Sequence, residues 1–177
     1  MTDKVVIITG GSRGIGRATA LAAAARGFRV VVGYGSNQAA ANEVVARIES
    51  SNGKAVAVKC DVAREDDILR LFEAADKFGT LGALVNNAGI VGKSSRVDEM
   101  SAERIERMMA VNVTGSMLCA REAVKRMSTR HGGKGGVIVN LSSVAAKLGS
   151  PNTYVDYAAS KGAIDSFTVG LGYEVAS

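Results

Sequence analysis

VVIITGGSRGIG, residues 5–16, joins a short apolar run to a glycine-rich turn and the start of a helical pattern. Gly10 permits a tight turn, and Gly14 lets the backbone approach a pyrophosphate group. Gly16 allows the helix to pack closely on a sheet, and the positive end of a helix attracts phosphate. The stretch therefore predicts a strand–turn–helix unit that binds a phosphate-bearing ligand. An ordinary glycine-rich turn without a ligand is the alternative.

The rest of the chain repeats this alternation of strand and helix. Short apolar runs predict strands at Val5–Thr9, Arg29–Gly33, Ala55–Lys59, Ala83–Val85 and Val137–Leu141. Longer helical patterns predict helices at Gly14–Arg26, Gln38–Ser51, Glu65–Phe78, Ala102 to about Thr129, with Ser101 as N-cap, and Tyr154 to Val175. We predict an α/β protein with a three-layer doubly wound parallel sheet, a Rossmann fold, in one domain over residues 1–177. A ligand is expected beyond the carboxyl ends of the strands.

Composition narrows the class of protein. The 177 residues are 47% hydrophobic and 22% charged with a single proline, which is typical of an ordered globular domain. The net charge of +5 favours anionic ligands, but no aromatic platform or recognition motif indicates nucleic-acid binding. The two cysteines, Cys60 and Cys119, and the single histidine predict neither a disulfide framework nor a metal site. The first apolar run is too short for a signal peptide or a membrane span, so we expect a cytoplasmic protein without membrane contact.

Four more motifs follow the glycine turn in a fixed order. They are NNAG at 86–89, AVNVTG around Asn112, VNLSSVAA around Ser143, and YVDYAASK at 154–161. Each motif alone has an ordinary explanation: a polar turn, a buried amide, a loop, or a solvated helix face.

The combination of these motifs, with T-G-x-x-x-G-x-G after the first strand, resembles the short-chain dehydrogenase/reductase family. The resemblance covers essentially the whole chain, and it is finest to bacterial sugar dehydrogenase-like and 3-oxoacyl carrier-protein reductase-like members. It implies an oxidoreductase acting on CH–OH groups, which transfers hydride between a nicotinamide cofactor and a carbonyl or secondary alcohol substrate. The alternative is a catalytically inactive nucleotide-binding protein of the same fold, with a regulatory or assembly role.

The resemblance assigns roles to four residues. Tyr157 is the expected general acid and base, because hydride transfer to a carbonyl leaves negative charge on its oxygen. Lys161 lies four residues later on the same helix face, where its ammonium group stabilises a phenolate, and it is expected to bond the nicotinamide ribose. Ser143 is expected to orient the substrate oxygen, and Asn112 to hold a proton-relay water. Tyr154 has Ala158 four residues later and is interpreted as a packing or pocket-wall residue.

Charge near the end of the second strand favours NADP(H) over NAD(H). Family members that prefer NAD usually carry an acid there, whereas this chain has Tyr34. Arg13 matches the basic residue of NADP-preferring members, although a solvent-exposed turn residue is the alternative. The expected cofactor contacts are Gly10, Ser12, Arg13, Gly14, Ile15, Gly16, Tyr34, Asp61, Val62, Asn87, Ala88, Gly89, Tyr157 and Lys161.

The sequence stops at GLGYEVAS, before the last two strands and the substrate lid that the family resemblance implies. We therefore expect a fragment of a longer protein, with a natural truncation that has lost activity as the alternative. An unpaired sheet edge and exposed apolar surface are expected in either case. The resemblance also implies a homo-oligomer, a dimer or a tetramer.

A basic run, REAVKRMSTR at 121–130, has two interpretations. It most often indicates a solvated helix face, because such clusters are common. A docking patch for an acidic carrier protein is the alternative.

Overall fold

A computed structural model describes residues 3–176, in which strands and helices alternate as the sequence predicts. The strands are β1 (Lys4–Ile8), β2 (Arg29–Tyr34), β3 (Lys54–Lys59), β4 (Thr80–Asn86) and β5 (Val137–Asn140). The helices are α1 (Gly14–Ala25), α2 (Gln38–Glu49), α3 (Glu65–Phe78), α4 (Ala102–Met109), α5 (Gly115–Met127), α6 (Ala145–Leu148) and α7 (Val155–Val175). Short 3₁₀ turns at Val97–Glu99 and Thr129–His131 precede α4 and β5.

The strands form one parallel sheet in the order β3-β2-β1-β4-β5. The chain moves outward in one direction from β1 to β3 and then returns to the other side of β1 at β4. The topological switch point therefore lies between β1 and β4, and their carboxyl ends open into the ligand crevice of such sheets. The predicted fold class is confirmed.

Apolar side chains fill the space on both faces of the sheet. One core packs between the sheet and helices α3 and α5, and the other between the sheet and helices α1 and α2. Helix α3 illustrates the pattern, since Ile68, Leu71, Phe72 and Ala75 are fully buried at helical spacing. Strands β1 and β2 are apolar on both sides because each face is covered by helices.

The predicted long helix from Ala102 to about Thr129 is interrupted. A π-helical turn, Ala110–Thr114, separates α4 from α5 and places an extra residue in the helical path. Such turns lie frequently at functional sites, and this one contains Asn112. Ser101 caps α4 as predicted, since its hydroxyl accepts a hydrogen bond from the Arg104 amide at 3.3 Å. The short α6 was not predicted.

β5 forms one edge of the sheet, with Val137 59% and Val139 46% exposed. A cavity of about 300 Å³ runs beside it between α5 and α7, and Met127, Ile138 and Leu171 contribute to its lining. An unpaired edge and exposed apolar surface, both expected from the sequence, are thus present at β5. Within residues 3–176, no helix is long and apolar enough to cross a membrane.

The basic run at 121–130 does not form a free cationic patch. Arg121, Lys125 and Arg126 all contact the carboxylate of Glu122, which is only 3% exposed. Arg126 also bonds Asp76 on α3, at 2.9 Å. The interpretation as a docking patch for an acidic carrier protein is therefore weakened, because these cations are paired within the fold.

Replacing Glu122 with glutamine is expected to lower the free energy of unfolding by about 3 kcal/mol at neutral pH, because three cations lose a buried partner. Burial works to raise the pKa of Glu122, but hydrogen bonds from Lys125 and Arg126 leave it below its usual value. The stabilisation is therefore present above the unfolded pKa and is lost as pH falls through the folded pKa. Urea denaturation across the acid range measures both effects.

The matched control is Glu65→Gln, which removes the exposed partner of Arg121. Its effect is expected to stay below about 0.5 kcal/mol. Equal losses for the two variants would contradict a special role for the buried carboxylate.

Candidate active site

The glycine turn and the NNAG segment are hydrogen-bonded to each other at the switch point. The Asn87 side-chain amide donates to the carbonyls of Thr9 and Gly10 at 2.8 and 3.0 Å. The Thr9 hydroxyl in turn accepts from the amides of Asn87 and Ala88 at 3.1 and 3.0 Å. A Cβ on Gly16 would lie 2.4 Å from the Gly10 carbonyl oxygen, so no side chain fits at this position. These hydrogen bonds hold the glycine turn and the NNAG segment in a fixed position relative to each other.

The N-terminus of α1 lacks a side-chain cap, unlike the N-termini of α2 and α4. Its N-cap residue, Arg13, is extended and its side chain makes no capping bond, whereas Asn37 and Ser101 cap the other two helices. Gly14 has a positive φ of 53°, and a Cβ added there would meet nothing within 4 Å. Uncapped amides beside open space fit a phosphate group, since the helix end carries partial positive charge.

The ends of β1, β2 and β3 lie side by side at this edge. The Gly11 amide donates to the Gly33 carbonyl at 2.9 Å, and the Cys60 amide donates to the Tyr34 carbonyl at 2.8 Å. The Tyr34 side chain is only 6% exposed and packs in the core beneath α2, so it offers little beyond its main chain to a ligand. Arg13, by contrast, is exposed, and no ion pair of its guanidinium occurs among residues 3–176.

Lys161 lies against Tyr157 as the helical spacing predicts. Its ammonium nitrogen lies 5.7 Å from the centroid of the Tyr157 ring and donates to the Leu141 carbonyl at 2.6 Å. Lys161 is 6% exposed, and burial lowers its pKa below the usual value while Asp165 acts in the opposite direction. A Cβ on Gly89 would lie 3.8 Å from this nitrogen, so the end of the NNAG segment lies next to the Lys161 ammonium group.

Ser143 follows β5 two residues after the carbonyl that accepts from Lys161. Its hydroxyl oxygen accepts from the Ala145 amide at 3.2 Å, in the turn that starts α6. The side chain is half-buried, and this bond leaves its proton free to be donated. The hydrogen bond from Lys161 to the Leu141 carbonyl connects α7 to the segment after β5 that carries Ser143.

The Asn112 side chain makes hydrogen bonds through both its oxygen and its nitrogen. Its oxygen accepts from the Ile90 amide at 2.8 Å, and its nitrogen donates to the Ile90 carbonyl at 2.9 Å and to Ser160 at 3.0 Å. The Ser160 hydroxyl donates onward to the Tyr157 carbonyl at 2.7 Å. An amide with two hydrogens has no further donor after these bonds. Asn112 therefore ties the loop after β4 to the Tyr157 helix.

Other contacts at this edge had no signal in the sequence. Arg104 donates to both carboxylate oxygens of Asp156, at 2.8 and 3.2 Å, and to the Lys93 carbonyl at 2.7 Å. The Arg104 hydrogen bond holds the pKa of Asp156 below its usual value. Tyr154 is the N-cap residue of α7, with its hydroxyl 3.5 Å from that of Ser94. Spacing places a charged residue on a helix but does not identify its partner.

Comparison with known proteins identifies the family. The family model described as short chain dehydrogenase matches residues 4–177. The chain is 53% identical over 174 residues to an uncharacterized oxidoreductase of Escherichia coli, covering 98% of this chain and 70% of that protein. It is 40% identical over 178 residues to a 3-oxoacyl-[acyl-carrier-protein] reductase of Synechocystis, covering 100% and 70%. A 3beta-hydroxysteroid dehydrogenase of Mediterraneibacter gnavus is 39% identical over 176 residues, with 99% and 62% covered.

The solved structures agree with the fold. A mutant of a Serratia marcescens short-chain dehydrogenase/reductase superposes with a TM-score of 0.91 at 31% identity. The match covers 98% of this chain and 69% of that one.

Proposed function

The chain belongs to the short-chain dehydrogenase family of oxidoreductases, and we propose that it transfers hydride between NADP(H) and a carbonyl or secondary alcohol substrate. The observation that carries the proposal is the position of the Lys161 ammonium nitrogen, 5.7 Å from the centroid of the Tyr157 ring and bonded to the Leu141 carbonyl, two residues before Ser143. Bound nicotinamide would supply or accept the hydride. We propose that residues of this chain transfer the proton and orient the substrate oxygen.

The residues present fit a dinucleotide. The open space at Gly14 and the uncapped start of α1 suit its pyrophosphate. Lys161 donates one hydrogen bond, to Leu141, of the three that an ammonium group can make. We propose that its remaining hydrogens bond the nicotinamide ribose, and that Asp61, Val62, Asn87, Ala88 and Gly89 line the rest of the cofactor site, with Ser12 and Ile15 in the glycine turn.

In the reductive direction, we propose that Tyr157 donates its phenolic proton to the carbonyl oxygen as negative charge develops there. The ammonium group of Lys161 stabilises the phenolate that results. Ser143 donates a hydrogen bond to the same substrate oxygen and orients it. Since the amide hydrogens of Asn112 are committed to Ile90 and Ser160, a relay water would bind at its main chain or at the remaining side-chain lone pair.

Activity is tested by following NADPH absorbance with a panel of aldehydes, ketones and 3-oxoacyl thioesters, and NADP⁺ with secondary alcohols. The thioesters are included because one relative is named a 3-oxoacyl-[acyl-carrier-protein] reductase. We expect turnover of at least one class. NADPH binding without turnover of any of them would favour the catalytically inactive alternative.

Replacing Arg13 with alanine is expected to weaken NADPH binding about tenfold and to leave NADH binding within about twofold, since only NADPH carries the 2′-phosphate. Arg13 is exposed at the glycine turn, so its loss removes no packing contact. Fluorescence titration with both cofactors measures the ratio. Arg26, exposed at the far end of α1, provides the control Arg26→Ala. A wild-type preference for NADH would refute the cofactor assignment.

We further propose a single domain that forms a homo-oligomer in the cytoplasm. Helix α7 carries Gly162, Gly170 and Gly172, at which an added Cβ would meet nothing within 4 Å. Tyr173 on the same helix is 84% exposed. These small and apolar positions support close approach of a second copy, and light scattering in solution tests it.

A further inference from the structure

The carboxylate of Asp61 is held between two donors at the edge of the cofactor crevice. Its Oδ1 accepts from the Ala63 amide at 3.1 Å. Nη2 of Arg107, on α4, lies 3.1 and 3.0 Å from Oδ1 and Oδ2. Within residues 3–176, this is the only ion pair that Asp61 makes. The residue is therefore fixed in orientation and electrically balanced.

Asp61 follows the end of β3, where the adenosine half of the proposed dinucleotide would extend from a pyrophosphate at the glycine turn. It directly follows Cys60, whose amide extends the β2–β3 pairing by bonding the Tyr34 carbonyl at 2.8 Å. The neighbouring end of β2 is in turn bonded to the glycine turn through Gly33 and Gly11. Arg107 contacts Asp61 from the last turn of α4.

A carboxylate at this edge has two opposing effects on an adenine nucleotide. Its oxygens accept hydrogen bonds from an exocyclic amine, but its charge repels phosphates. The Asp61 side chain is 35% exposed, so water screens this repulsion only in part. A cation that contacts both oxygens cancels most of the charge and leaves lone pairs for the amine.

We propose that Arg107 is a positioning residue for the cofactor: it aims Asp61 at the adenine amine and neutralises it, so that an adenosine with a 2′-phosphate can bind beside an acid. This inference rests on the proposed function. It adds a residue that allows the site to bind the 2′-phosphate of NADP(H). Arg107 acts through Asp61 and takes no part in hydride or proton transfer.

The test uses calorimetry with three fragments of the cofactor: adenosine 2′,5′-bisphosphate, adenosine 5′-monophosphate and reduced nicotinamide mononucleotide. Arg107→Gln is expected to weaken the bisphosphate about fivefold and the monophosphate about twofold, with the nicotinamide fragment unchanged. Combining Arg107→Gln with Asp61→Asn is expected to restore bisphosphate affinity to within about twofold of wild type, because the unpaired charge is then absent. The fivefold loss should shrink at high ionic strength.

Arg29→Gln is the matched control, because Arg29 pairs with Asp3 at the amino ends of the strands, away from the crevice. It is expected to leave all three affinities unchanged. Unchanged bisphosphate affinity in Arg107→Gln, or equal losses for the adenosine and nicotinamide fragments, would overturn the inference. A wild-type protein that binds neither NADPH nor the bisphosphate would instead overturn the proposed cofactor, and the two failures are thereby distinguished.

Discussion

Replacing Tyr157 with phenylalanine is expected to lower kcat by about 10²- to 10⁴-fold while NADPH affinity stays within about twofold of wild type. The change removes one hydroxyl and keeps the ring beside the Lys161 ammonium nitrogen, at 5.7 Å in wild type. The developing alkoxide then has no acid within reach, because Ser143 offers a hydrogen bond but is a poor proton donor. Steady-state kinetics with saturating cofactor measure the loss.

The matched control is Tyr154→Phe, which removes the other tyrosine hydroxyl at the start of α7. That hydroxyl lies 3.5 Å from the Ser94 hydroxyl. We expect kcat to change by less than about twofold in this variant, because no proton transfer passes through it. If Tyr157→Phe retained a tenth of the wild-type rate, Tyr157 would not be the acid.

The strands were predictable because a strand that is buried between two helix layers consists almost entirely of apolar residues. β1 and β2 are apolar on both faces, and their bounds differ from the prediction by only one residue at either end. β4 is longer than the predicted Ala83–Val85, since it begins at Thr80. Gly82 weakens the strand pattern in this segment, but pairing with β1 supplies hydrogen bonds that no local propensity reports.

The π-helical turn at Ala110–Thr114 could not be predicted from periodicity. The π-helical segment is only five residues long, which is too short for a periodic pattern to distinguish it from the α-helical turns on either side. Tertiary bonds from Asn112 to Ile90 and Ser160 accompany the turn. The motif thus identified Asn112, whereas its hydrogen bonds to Ile90 and Ser160 depend on the tertiary structure.

Charged residues were the least predictable part of the site. The sequence could not distinguish Arg104, whose partner is 52 positions away, from Arg107, whose partner is 46 positions away. It likewise predicted a solvated basic helix face at 121–130, with a docking patch as the alternative, and did not reveal that Arg126 pairs with Glu122 and Asp76. Ion pairing depends on which helices become neighbours, and that information is spread over the whole fold.

Replacing Lys161 with methionine is expected to lower kcat by about 10²- to 10³-fold and to weaken NADPH binding about tenfold, which separates it from Tyr157→Phe. Methionine fills a similar volume but cannot stabilise a phenolate. It also cannot replace the hydrogen bond that Lys161 donates to the Leu141 carbonyl at 2.6 Å. Kinetics and fluorescence titration measure the two losses. Lys54→Met, at the exposed start of β3, should change neither.

The same substitution is expected to affect the pH dependence of stability, because the buried Lys161 cation is unfavourable for folding although it is needed for activity. Burial lowers the pKa of Lys161, so between that lowered pKa and about 10.4 the unfolded chain binds more protons than the folded one. The free energy of unfolding of the wild type therefore rises with pH through this window relative to that of Lys161→Met. Urea denaturation of both proteins from neutral pH upward measures the difference. A difference in unfolding free energy between the two proteins that stays constant with pH would contradict this prediction. It would mean that Lys161 has the same pKa in the folded and the unfolded chain, so that burial of the cation costs no free energy.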